Sequence, residues 1–130
     1  MADVLLLEDD PGLQFVLREA LSGEGHVVYV ASDNESAMNV LRRRTPDVLL
    51  LDLMIGGGLS TDVANYAVYS APSAAVIFMT GSGLFPKGEL FGMSRNARWV
   101  LRKPVDIGEL TTMISHVTSD EVAQSLVHSR

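Results

Sequence analysis

Short aliphatic runs recur along the chain at residues 4–7, 27–30, 48–51, 75–79 and 99–101. Most lack polar residues at alternate positions, the pattern of strands covered on both faces and therefore of a parallel sheet between helix layers. Between the runs, apolar residues repeat at helical spacing. Pro11 suits a first helical position after Asp10, and Leu13, Val16, Leu17, Ala20 and Leu21 form a stripe that stops at Gly23 and Gly25. Ser32 and Glu35 have capping-box spacing ahead of Ala37, Val40 and Leu41, and the basic run LRRR at 41–44 would close that helix, where cations complement the dipole. A plainer helix is expected from about Ser60 to Tyr69, and Asp106 with Glu109 would open a last one carrying Leu110, Met113, Ile114 and Val117. Residues 82–96 must supply a fourth helix, made marginal by Pro86, Gly88 and Gly92, since each interior Gly costs about 1 kcal/mol relative to Ala. Strand and helix alternating in this way predict an α/β fold with a doubly wound five-stranded parallel sheet and helices on both faces.

Composition narrows the picture. At 130 residues, with 47% hydrophobic and 20% charged, the chain suits one domain with a single well-filled core. The expected division is a domain over 1–118 and a C-terminal extension over 119–130, helical or frayed, where Val122, Ala123, Leu126 and Val127 group loosely at helical spacing. With no Cys, neither a disulfide framework nor a thiolate metal site is available. The N-terminus has no signal-peptide pattern and no apolar run approaches ~18 residues, so a cytoplasmic protein without membrane association is expected. A net charge of −6 argues against nucleic acid as a partner, because phosphate-backbone affinity needs a basic face.

The chemistry gathers at one edge. Open α/β sheets bind ligands beyond the carboxyl ends of their strands, and there Glu8, Asp9 and Asp10 follow the first strand, Asp52 the third, Thr80 the fourth and Lys103 the fifth. Carboxylates ~4 Å apart repel by about 4 kcal/mol at an effective dielectric of 20. The nearest cation along the chain, Arg18, is more than a helical turn away, so compensation is expected from Lys103 and from a hard divalent ion held by oxygen ligands, Mg²⁺ or alternatively Mn²⁺. Asp10 reads as a helix cap; Glu8 lies too far back for that role, and Glu8 and Asp9 read as ligands. Singly, Asp52 could be a loop residue, Thr80 a cap and Lys103 a solvated charge; their convergence on one edge favours a site. His26, His116 and His128 form no ligand set and read as surface residues, whereas Tyr29, Tyr66, Tyr69 and the six Met read as packing residues.

The segments VLLLEDDPG, PDVLLLDLMIGG, VIFMTGSG and VLRKPVDIGEL, in this order between about Asp3 and Val117, resemble the four blocks of the response-regulator receiver domain of two-component signalling. The resemblance implies a flavodoxin-like sheet of order 2-1-3-4-5. It further implies that Asp52 is the phosphoacceptor, that Glu8, Asp9, Asp52 and the backbone carbonyl of Met54 bind the metal, that Thr80 is the switch hydroxyl and that Lys103 clamps the phosphate. A cis peptide before Pro104 belongs to the same pattern, although the residues alone do not choose the isomer. The implied partners are a sensor histidine kinase or phosphotransfer protein and a downstream protein. Because the domain fills the chain, stand-alone signalling through protein contacts is expected, with no catalysis beyond the domain's own phosphorylation and dephosphorylation.

Departures from the family pattern bear on mechanism. Gly56 stands where many members have proline and is followed by Gly57 and Gly58, so a more mobile loop is expected. Gly81 replaces a common alanine. Val100 replaces the usual inward-turning aromatic residue, and Trp99 should point to the opposite face of its strand. FMTGSG is similar to the motif of the stand-alone FAT GUY group. Without a ring at position 100, activation is expected to act through residues 82–96, with Phe85, Leu90 and Phe91 as the contacts whose exposure changes. Two other readings stay open: a haloacid-dehalogenase-type phosphohydrolase, which would want a second aspartate where Met54 stands, and a pseudo-receiver that keeps the fold without taking phosphate.

Overall fold

The computed structural model describes residues 1–81 and 97–128, with side chains through Thr118. Strand β3 (Val48–Asp52) is the axis of the molecule, and all five of its residues are buried. It lies between β1 (Asp3–Leu7) and β6 (Ala75–Thr80), with β2 (Val27–Ala31) and β7 (Ala97–Arg102) at the edges, every neighbouring pair being parallel. The order β2-β1-β3-β6-β7 is the expected 2-1-3-4-5 once the short antiparallel pair β4 (Met54–Ile55) and β5 (Gly58–Leu59) is left out of the count.

Alternation along the strands splits the core into two layers. Leu5, Leu7, Leu49, Leu51, Val76 and Phe78 pack with residues of α2 (Asn34–Arg43) and α3 (Thr61–Ser70). Val4, Leu6, Val48, Leu50, Ile77 and Met79 pack with α1 (Pro11–Gly23) and α4 (Ile107–His128) on the other face. A central leucine in either layer is worth about 2–5 kcal/mol against alanine, which is what holds the strand ends in register. Asp10 caps α1 with Pro11 following it, and Asp106 Oδ1 accepts the Glu109 N–H at 2.9 Å, as expected.

Several expectations need correction. The N-cap of α2 is Asp33 rather than Ser32: Asp33 Oδ1 accepts the Ser36 N–H at 2.7 Å, while the Ser36 hydroxyl accepts the Asp33 N–H at 3.3 Å. A carboxylate is the stronger acceptor, and the Ser32 hydroxyl is taken by the Gln14 amide at 3.2 Å. The glycines expected to loosen the loop after β3 instead close a hairpin: Gly56 (φ 58°) and Gly57 (φ 81°) supply the positive φ values that a tight turn between Ile55 and Gly58 demands. His26 is half-buried, its Nδ1 accepting the Ala2 N–H at 3.0 Å. Tyr69 is 83% exposed and does not pack, whereas Tyr29 and Tyr66 do. Met1 and Met54 are likewise exposed, while Met38, Met79 and Met113 join the core layers. Helix α4 continues without a break through the expected extension to His128. The fourth helix expected over 82–96, with Phe85, Leu90, Phe91 and Met93, lies outside the described residues, as does the side chain of His128.

Candidate functional site

Strand ends deliver the site. Glu8, the first residue past β1, is only 1% exposed and donates its N–H to the Ala31 carbonyl at 3.0 Å. Asp52, the last residue of β3, is 6% exposed, and the Leu53 N–H extends the pairing with β6 by donating to the Met79 carbonyl at 2.8 Å. Thr80 ends β6, also buried, and its carbonyl accepts the Lys103 N–H at 2.9 Å, which fixes where the lysine leaves the sheet. Lys103 Nζ then donates to Glu8 Oε1 at 2.8 Å and to Asp52 Oδ2 at 3.1 Å. The cation missing from the neighbourhood of EDD in sequence therefore arrives from the far end of the chain.

One ammonium serves more than its share of charge. Oxygens of Glu8, Asp9 and Asp52 all lie within 4.8 Å of one another, Asp9 being the exposed member. Glu8 is fully engaged, because its Oε2 accepts the Asp10 N–H at 3.0 Å. Asp10 turns away to cap α1, its Oδ1 accepting the Gly12 N–H at 3.0 Å. Burial pushes the Glu8 carboxyl above the usual carboxylate range; the hydrogen bonds from Lys103 and the Asp10 amide oppose this, and the Asp52 charge adds to it. Burial by itself would lower the Lys103 pKa, but hydrogen bonds to Glu8 and then Asp52 outweigh it and hold the ammonium above its ordinary value. A set of three carboxylates with one lysine is an all-oxygen, net-negative cluster, the chemistry that suits a hard divalent cation.

Of the residues singled out in sequence, Glu8, Asp9, Asp52 and Lys103 are thus brought together, and Thr80 adjoins Lys103 through the backbone. Met54 begins the hairpin two residues after Asp52 and is 40% exposed. The Lys103–Pro104 peptide is cis. Val100 packs against the α2/α3 layer while Trp99 meets His116 of α4 edge-on, ring centroids 6.2 Å apart, so the two do point to opposite faces. Among the described residues, a Cβ at Gly81 would meet the Lys103 stem at 3.8 Å.

Gln14 escaped the sequence reading. Its amide donates to the Glu8 carbonyl at 2.8 Å and to the Ser32 hydroxyl, tying α1 to the exits of β1 and β2. A signal was available: Gln14 shares the spacing of the buried Leu17 and Leu21, and a polar residue on an apolar stripe needs a partner inside.

Residues 4–115 match the family model of the response regulator receiver domain. The DNA-binding response regulator MtrA of Mycolicibacterium smegmatis is 32% identical over 111 residues, which cover 85% of this chain and 48% of that protein. The probable transcriptional regulatory protein TcrX of Mycobacterium tuberculosis is 29% identical over 107 residues, 82% of this chain and 45% of its own. The chain spans about half the length of the curated relatives it matches. Among solved structures, a CheY-like response regulator receiver domain protein from Methanospirillum hungatei has the same fold, with a TM-score of 0.86 at 18% identity over 95% of this chain and 98% of that one. A family match over most of the sequence, on a sheet of the same topology with an acidic cluster and a lysine at its carboxyl edge, makes this chain a member of the response regulator receiver domain family.

Proposed function

We propose that the chain accepts a phosphoryl group on Asp52 from a histidine kinase or phosphotransfer protein and passes the signal on through protein contacts. The observation that carries this reading is the strand-end Asp52 carboxylate, 3.1 Å from Lys103 Nζ and inside a cluster of carboxylates. An Asp52 oxygen attacks phosphorus in line with the donor; the new P–O bond forms as the P–N bond to the donor imidazole breaks, and the imidazole keeps the electron pair. Lys103, a compact point charge, stabilises the equatorial oxygens. Glu8, Asp9, Asp52 and the Met54 carbonyl would hold Mg²⁺, or Mn²⁺ in its place, with Glu8 contributing its charge while its oxygens stay on Lys103 and the Asp10 amide. When bound, the ion neutralises nucleophile and phosphoryl oxygens.

The phosphoryl group adds about −1.5 to −2 of charge at Asp52 and competes with Glu8 for Lys103, while Thr80 turns its hydroxyl toward the new oxygens. The DNA binding named for MtrA belongs to that protein, of which this chain matches 48% of the length, and is not carried over. Incubation with acetyl phosphate and Mg²⁺ followed by intact mass measurement tests the proposal. The expected result is one phosphoryl group on the wild type and none on Asp52→Asn, which should be folded and slightly more stable, having lost one charge from a repulsive cluster. Labelling of Asp52→Asn at the wild-type rate would refute the assignment; turnover of many donor molecules would favour a phosphohydrolase instead, and no labelling of the wild type a pseudo-receiver.

A further inference from the structure

At the opposite end of the sheet from Asp52, the C-termini of α2 and α3 border an open cleft of about 560 Å³, a size within the range of small-molecule sites. Arg42, Arg43 and Arg44 line it in succession. Among the described residues none of these three guanidiniums has a carboxylate partner, since both ion pairs there belong to Lys103. Arg42 is held by the Asn39 side chain, Arg44 lies 4.8 Å above the Tyr29 ring, and Arg43 has no side-chain partner among the described residues. Closing a helix explains one or two cations there, but not why the wall opposite them is polar and aromatic.

That wall comes from α3. Tyr66 contributes a half-buried ring, and Ser70 a hydroxyl sequestered from water without a hydrogen-bond partner among the described residues. A buried hydroxyl left unsatisfied costs about 1–3 kcal/mol, so a group that occupies the cleft and bonds to it has something to gain. Asp3, from the start of β1, is the one carboxylate of the lining. Allowing about half a negative charge for each helix C-terminus and a full one for Asp3, three guanidiniums still leave the lining net positive. Guanidinium forks match phosphate oxygens, the tyrosine face suits a flat ring, and a carboxylate accepts from sugar hydroxyls or an exocyclic amine.

We propose that this cleft is a second ligand site, remote from the carboxylate cluster, for a nucleoside polyphosphate: phosphates on Arg43 and its neighbours, base against Tyr66, and a polar contact to Ser70. Isothermal titration of the full chain with ATP in EDTA, alongside adenosine and tripolyphosphate, tests it. Saturable binding of ATP is expected at sub-millimolar concentration, at least tenfold weaker for either fragment. Arg43→Ala, at an exposed position and so without consequence for folding, should weaken ATP at least tenfold, and Ser70→Ala by a smaller factor. Asp52→Asn, which alters the carboxylate cluster and stays folded, should leave it unchanged, and phosphoryl acceptance by Arg43→Ala should equal the wild type. Absence of saturable ATP binding, binding that survives Arg43→Ala, binding changed tenfold by Asp52→Asn, or tripolyphosphate binding as tightly as ATP would each overturn the proposal.

Discussion

Replacing Lys103 with alanine should expose how much of the domain's stability rests on one shared ammonium. In the native protein Nζ lies 2.8 Å from Glu8 and 3.1 Å from Asp52, and the acidic oxygens of the cluster are within 4.8 Å of one another. Two unit charges at 4.8 Å repel by about 3.5 kcal/mol at an effective dielectric of 20, a repulsion the lysine now offsets. Removing one partner of a buried ion pair costs about 3–5 kcal/mol. The Lys103 side chain is 25% exposed and partly screened by water, so a loss of about 2–4 kcal/mol is expected in urea denaturation with EDTA at pH 8. The loss should shrink in acid. Glu8 already has a raised pKa through burial, and without Lys103 it loses a group that opposes that rise. A carboxyl raised in the folded state binds its proton more tightly there than in the unfolded chain, so the penalty is relieved below the ordinary value of 4.5 and grows as pH climbs through the raised one. Combining Lys103→Ala with Asp52→Asn should recover part of the loss, because the double variant retains one carboxylate fewer to leave unpaired. A Lys103→Ala penalty below about 0.5 kcal/mol, the level of a surface ion pair, or one no smaller below the ordinary carboxyl value of 4.5 than in the alkaline range, would refute this account of the cluster.

Three further outcomes are expected. Mg²⁺ should raise the melting temperature of the wild type, as a ligand preferring the folded state must, and Asp9→Ala should abolish that rise; a thermal shift unchanged in the variant would exclude Asp9 as an essential ligand. Burial, assisted by the positive N-terminus and opposed by Glu24, depresses the His26 pKa below 6.5, so the unfolded chain binds the proton first and stability should fall as pH drops from 6.5 toward the folded value; denaturation midpoints across this window should flatten in His26→Gln. In the hairpin, Gly57→Ala should cost about 1–2 kcal/mol for a side chain at φ 81°, whereas Gly56→Asn should be close to neutral, a contrast readable in urea midpoints.

The sheet was legible because burial on both faces leaves a strand no polar positions: β3 and β6 are buried throughout, and their runs were the plainest in the chain. The edge strand β7, with a mixed burial pattern, was read three residues short, and only its apolar middle was visible. Strand ends carried the site for the same reason, since Glu8, Asp52 and Lys103 are polar residues interrupting runs that have no other use for charge. What escaped was local competition. Ser32 and Asp33 are both good caps, and the choice turned on where Gln14 spends its amide. Gly56–Gly58 offered no alternating apolar pattern to mark two-residue strands, so the hairpin looked like slack chain. His26 sat between two elements with nothing in its spacing to show that Ala2 would claim its ring nitrogen.

The chain has a single tryptophan, and its place on β7 makes the protein's intrinsic fluorescence a one-site signal. Trp99 is 38% exposed, with an edge contact to His116 of α4, and faces away from the layer that Val100 joins. Its emission therefore samples the seam between the edge strand and the C-terminal helix, with no other indole to mask it. Four residues farther along, the same backbone presents Lys103. A change in how the ammonium divides itself between Glu8 and Asp52 becomes optically visible only to the extent that it displaces β7, which carries Trp99 and ends one residue before Lys103. A silent spectrum on phosphorylation would mean that β7 stays rigid, and a shifted one that the seam with α4 has moved.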